Sequence, residues 1–120
     1  MSKSIYETNI PFTLAVLAKV KGFFDNCESH YEESGVRMES YGMPYSPNLE
    51  PDEIMFSAPT YTVLSAWLLK NHKINTQVIE LDEYYTYSIQ GNKSMSKFAS
   101  KRDAIDHAVS LSLSRLKNVN

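Results

Sequence analysis

Apolar residues recur along this chain at helical spacing in three stretches and in two-residue alternation in two others, which predicts an α+β fold with three helices and a small antiparallel sheet in one domain, 1–120. Residues 1–9 form a lead-in expected to fray, with Ile5 and Tyr6 as its large apolar groups. Asn9-Ile10-Pro11 then opens a helix over 11–22, since proline is tolerated where the first-turn N–H has no partner. Phe12, Ala15, Val16 and Lys19 share one side of it, Leu14 and Leu17 widen the stripe, and Gly22 is placed to end it in a left-handed cap. Phe23 and Phe24 are both expected to pack back on the core.

Ser34-Gly35 between His30-Tyr31-Glu32 and Val36-Arg37-Met38 predicts a hairpin over 29–39. Gly42, Pro44, Pro47 and Pro51 then exclude regular structure and predict a long loop over 40–53 that carries Tyr41 and Tyr45. The clearest local pattern follows. A helix over 59–71 buries Val63, Leu64, Trp67 and Leu68 and ends in Lys70, His72 and Lys73, which favour its dipole. Strands over 74–81 and 84–90 turn at Asp82-Glu83, setting Val78 opposite Tyr87 and Glu80 opposite Tyr85. Met95 and Phe98 are expected to add a third short strand. Ser100, with Asp103 three residues on, caps a helix over 101–116 whose stripe is Ala104, Ile105, Ala108, Val109, Leu111 and Leu116, leaving Asp106, His107, Ser110 and Ser114 toward water.

Composition narrows this picture. At 120 residues and 42% hydrophobic content, the chain can bury a core without metals or disulfides. Its one cysteine, Cys27, excludes an intrachain disulfide and a cysteine-based zinc site. A polar start and the lack of any apolar run near 20 residues predict a cytoplasmic protein with no membrane partner. The net charge of −2 gives no field for holding bulk nucleic acid. Its distribution is uneven. Eight acids (Asp25, Glu28, Glu32, Glu33, Glu39, Glu50, Asp52 and Glu53) face one base, Arg37, between 25 and 53, whereas Lys93, Lys97, Lys101 and Arg102 have no acid among them between 91 and 102.

Ile10-Pro11-Phe12 with Leu14-Ala15, Lys21-Gly22-Phe23, Ala58-Pro59-Thr60-Tyr61 with Trp67-Leu68, Tyr85-Thr86-Tyr87-Ser88-Ile89, and Phe98-Ala99-Ser100 with Asp103-Ala104-Ile105 occur in that order along most of the chain. In this the chain resembles a group of small phage and prophage proteins of gut Bacteroidetes-type bacteria. These motifs are structural punctuation, and the resemblance carries over no catalytic residue. It implies an accessory role: a virion component, a host-takeover factor or an inhibitor of host defence.

Chemistry is sparse. His30, His72 and His107 lie in three separate elements without metal-ligand spacing, and no phosphate-binding glycine loop or nucleophile motif occurs. Neither a catalytic group nor a cofactor is expected, and Cys27 beside a histidine is the one conceivable nucleophile pair. Two surfaces remain. The acidic, tyrosine-bearing region, with Glu32, Glu33, Glu39, Tyr41 and Tyr45, suits a protein partner and a homo-oligomer. Lys101 and Arg102 stand where a helix dipole opposes cations; with Lys93, Lys97, Ser100 and Tyr84 they suit a nucleotide or another small anion. The leading expectation is a non-enzymatic phage-type protein that binds a host or viral protein, followed by an anion-binding sponge and then a structural virion component.

Overall fold

The computed structural model describes residues 5–25, 27–39 and 55–119. Among the described residues, three helices, α1 (Phe12–Val20), α2 (Tyr61–His72) and α3 (Lys101–Ser114), alternate with two three-stranded antiparallel sheets in an α+β arrangement. The first sheet has the order β2 (Arg37–Glu39), β1 (Ser29–Glu32), β3 (Met55–Ser57), and the second β4 (Thr76–Glu80), β5 (Tyr85–Ile89), β6 (Asn92–Lys93). The chain gathers into two compact units, Met1–Thr62 with Lys117–Asn120, and Val63–Leu116.

In the first unit the lead-in is tied down rather than frayed. Ile5–Glu7 forms a 3-10 turn, Asn9 bridges Thr60, and the Ile10 N–H donates to Pro59 O at 2.9 Å, which leaves Ile10 fully buried. Pro11 stands just outside α1 as its extended N-cap, not inside its first turn. The helix ends at Val20, where Gly22 takes a φ of +94°. Its N–H donates to Lys19 O and that of Phe23 to Ala18 O, a paired closure that satisfies two terminal carbonyls. A Cβ at Gly22 would lie 3.1 Å from Val119 Cγ1, so that side chain would have to give by a few tenths of an ångström, and the positive φ is what calls for glycine. The buried face is Leu14, Ala15 and Ala18, one position round from the predicted stripe. Phe12 at its margin makes edge contacts with Tyr31 and Phe56, and α1 packs on β3. Phe23 is fully buried as expected, but Phe24 is 39% exposed.

In the second unit, the predicted register between the strands of residues 74–81 and 84–90 holds: Val78 pairs with Tyr87 and Glu80 with Tyr85. Both strands are shorter than predicted because their ends are used elsewhere. The Ile74 N–H closes α2 by donating to Leu68 O, and the Asn75 N–H donates to the side-chain oxygen of Gln90. Within this unit, α2 buries Leu64, Trp67 and Leu68, as Tyr61 is buried in the first; Val63, placed on that face by sequence, is exposed. The third strand is Asn92–Lys93; of the two residues expected there, Phe98 pairs with Tyr85 as a single antiparallel bridge and Met95 does not pair. Gln90 and Gly91, with φ of 55° and 80°, form a two-residue turn whose twist suits a hairpin and so bring β6 back at once.

Ser100 caps α3 as predicted, its Oγ accepting from the Asp103 N–H at 3.1 Å. The helix packs across β4 and β5, and Tyr87, Ile89 and Ala108 join Ile74, Phe98 and Leu111 in a cluster. Ser112 and Leu113 are buried, although neither was assigned to the stripe; the Ser112 hydroxyl is satisfied inside the helix by donating to Ala108 O. His107 does not simply face water. Its Nδ1 lies 2.7 Å from Tyr87 Oη, and its ring tilts against Tyr87 and Phe98.

Candidate functional site

Two surfaces carry the charged residues singled out by sequence. The first is the β1–β2 hairpin. Glu33, Ser34 and Gly35 form its loop, with the Gly35 N–H donating to Glu32 O and the Glu32 N–H to Val36 O, and Gly35 supplies the φ of +87° that lets the strands meet. Pairing of Tyr31 with Arg37 and of His30 with Met38 sorts the side chains by face. Ser29, Tyr31, Arg37 and Glu39 alternate onto the side that meets Phe12; Glu32, Val36 and Met38 alternate onto the other, together with the half-buried His30 opposite Met38.

That sorting separates the predicted acids. Glu39 is engaged: its Oε2 accepts from Ser29 Oγ at 2.7 Å and its Oε1 lies 3.7 Å from Arg37 Nη2. Glu32 and Glu33 are exposed and stand beside Val36 (54% exposed) and Met38 (41% exposed). β2, exposed at all three residues, is an edge strand. Tyr41 and Tyr45 lie outside the described residues.

On the Phe12 side, Thr8, Asn9, Tyr31 and Arg37 line an open cleft of about 380 Å³. Arg37 donates to the Asn9 side-chain oxygen, the Asn9 amide donates to Ala58 O at 2.6 Å, and Tyr31 Oη donates to Ile10 O at 2.6 Å. The sequence offered one signal for this feature, a single base among acids. Nothing in it brings Asn9 to Arg37 across 28 positions.

The second surface is the basic stretch that begins at the end of β6. Lys93 and Lys97 are exposed, and Lys97 Nζ sits 4.8 Å above the Tyr84 ring. Ser100 and Asp103 bond to each other at the start of α3, followed by Lys101, half-buried, and Arg102, exposed. Structure therefore joins Tyr84 to Lys97, but Ser100 already satisfies an amide that an anion at this helix start would take, and Lys97 already covers the ring on which a base would stack. Between the two lysines Met95 is 97% exposed, a feature sequence reading had assigned to a strand.

The remaining reactive candidate is quenched. Cys27 is buried, its Sγ donates to Asp25 O at 3.6 Å, and burial, reinforced by the Asp25 charge and opposed by a hydrogen bond with Ser57, pushes the thiol up to about 12 from 9.0. The unfolded chain should ionise this thiol near 9.0 while the folded one holds its proton to about 12, so the unfolded state binds fewer protons across that window. Stability contributed by the buried thiol is therefore present below the unfolded value and lost as pH rises toward the folded one. Urea midpoints followed between pH 9.0 and about 12 should fall more steeply for the wild type than for Cys27→Ser. Parallel curves would mean the thiol is not buried as described.

Among the described residues, no group of three or more His, Cys, Asp and Glu side chains could hold a metal ion, and no helix is long and apolar enough to cross a membrane. His72 packs edge-on against Trp67, and His107 is engaged by Tyr87. By fold and surface this is a small α+β protein with a charged, partly apolar hairpin. Comparison with known proteins found no matching family model, curated protein or solved structure.

Proposed function

We propose that this chain is a non-enzymatic, phage-type accessory protein that holds a protein partner on the exposed Glu32, Glu33, Val36 and Met38 of its acidic hairpin. One observation carries the reading: Val36, just before the edge strand β2, and Met38 within it are exposed beside the exposed carboxylates of Glu32 and Glu33. An apolar centre with a charged rim is the usual make-up of a protein-binding patch, and an edge strand adds backbone donors and acceptors. The partner's chemistry follows as a basic surface with an apolar recess. The protonated Cys27 and the engaged His107 favour binding over catalysis. The resemblance to phage and prophage proteins favours a host or viral protein as the target and the host cytoplasm as the place of action, with inhibition of a host defence as the physiological role.

Glu32→Lys with Glu33→Lys is expected to lower capture of a specific basic protein from host extract by about tenfold, equivalent to about 1.4 kcal/mol, with the captured protein identified by mass spectrometry. Glu39 is left intact in this test because it anchors Ser29 and Arg37. Equal capture by the reversed and unreversed hairpins would sink the reading.

A further inference from the structure

Beyond β6 the chain leaves the sheet and returns to it at Phe98, five residues after Lys93. The Ser94 N–H still donates to Tyr87 O at 2.8 Å, and at Phe98 the pairing resumes, with N–H and O both bonded to Tyr85 at 2.8 Å. The excursion between them is fixed from beneath. Thr86, buried in β5, donates its hydroxyl to Ser96 O at 2.7 Å, and the Ser96 N–H donates to Ser94 Oγ at 3.0 Å. This bulge presents Met95 to solvent at 97% exposure, with the exposed Lys93 and Lys97 on either side. Bulges of this kind redirect a side chain, and here it is an apolar one held out among cations.

The hairpin surface has the complementary design: Val36 and Met38 beside Glu32 and Glu33. Among the described residues, none of Glu32, Glu33, Lys93 and Lys97 forms an ion pair, and the Arg37–Glu39 pair lies on the other face of the hairpin. We propose that the Met95 bulge of one copy of this chain docks on the Val36–Met38 face of another, with Lys93 and Lys97 meeting Glu32 and Glu33. The proposal rests on the hairpin being a docking surface and names a second copy of the chain as its occupant. Two different patches meet, so copies either close into a ring or continue as a chain. Exposed charges at the rim make the contact sensitive to salt, while the apolar centre supplies the contact area.

The test uses the purified full-length protein with no other protein present, followed by sedimentation velocity over a range of concentrations. The wild type is expected to associate at about 50 mM salt and to do so at least about tenfold more weakly at about 500 mM. Lys93→Glu with Lys97→Glu, Glu32→Lys with Glu33→Lys, and Met95→Asp alone should each be monomeric where the wild type associates. All these positions are exposed, and circular dichroism checks that each variant is folded. An equimolar mixture of the two charge-reversed proteins should associate again, because each supplies the sign the other lost. A wild type that stays monomeric to about 0.5 mM at low salt overturns the proposal. So does association unaffected by salt and by all three variants, or a mixture that stays monomeric. The Lys93→Glu, Lys97→Glu protein keeps its acidic hairpin, so its capture of a basic partner from extract reports on the proposed function separately: capture without self-association leaves that function standing.

Discussion

Phe23→Ala is expected to lower the unfolding free energy by about 3–5 kcal/mol, whereas Phe24→Ala, one residue on, should lower it by less than about 1 kcal/mol. The two side chains are chemically identical and adjacent, so the contrast isolates burial. Phe23 is fully buried and Phe24 is 39% exposed. The difference originates in the cap of α1. Because Gly22 turns left-handed and the Phe23 N–H donates back to Ala18 O, the chain folds over the end of the helix and carries the Phe23 ring into the core. Phe24 leaves that geometry toward solvent. Removing the inner ring deletes its transfer free energy and leaves a cavity that the surroundings fill only in part. For a domain whose total stability lies at about 5–15 kcal/mol, such a loss brings the protein near its folding threshold. Urea unfolding measures both variants, with an unchanged slope as the check that the unfolded state is the same. Comparable losses at both positions would mean that the cap does not set which phenylalanine is inside.

The same cap marks how far the sequence could be read. Gly22 as the end of the first helix, Ser34-Gly35 as a hairpin loop, Ser100 as an N-cap and the Val78–Tyr87 register were all legible, because each depends on residues within a few positions or on strict alternation. What could not be read depends on distant pairs. Asn9 holds Ala58 O across 49 positions, and this turns an expected frayed lead-in into part of the first unit. Val63 fits the stripe of α2 by spacing yet is exposed, since periodicity gives a face only to within about one residue. At the hairpin, sequence grouped Glu32, Glu33 and Glu39 by charge. Alternation from the observed register puts Glu39 on the opposite face from Glu32, tied to Ser29 and Arg37. The basic residues of 93–102 were legible as a cluster, but Met95 was expected with Phe98 in a third short strand, and only Phe98 pairs with β5. The real setting of Met95 depends on where β6 stops, and the Gln90-Gly91 turn decides that by starting the strand early.

Thr86→Val should cost about 1–3 kcal/mol, the larger part of it absent from Thr86→Ser. Thr86 is 1% exposed, and its hydroxyl donates to Ser96 O at 2.7 Å with Ser94 O within 3.4 Å. Valine keeps the shape and removes the donor, so a carbonyl folded over β5 loses its partner. Serine keeps the donor and loses one methyl group, worth roughly 0.8 kcal/mol of burial. The comparison therefore separates a packing contribution from a polar one. It also bears on how the surface is built. Without the hydroxyl, the hydrogen bonds that still tie the bulge to β5 among the described residues are at its ends, Ser94 N–H to Tyr87 O and the Phe98 pair with Tyr85. Amide exchange at Ser94 and Phe98 should accelerate in Thr86→Val and stay close to wild type in Thr86→Ser. A freed bulge would no longer hold Met95 at one position, and ordering it on contact would oppose binding. Self-association should therefore weaken in Thr86→Val although no residue at the proposed contact has changed. Unaltered exchange and unaltered stability would show that the strand ends alone hold the bulge, and the hydroxyl would then have no part in presenting Met95.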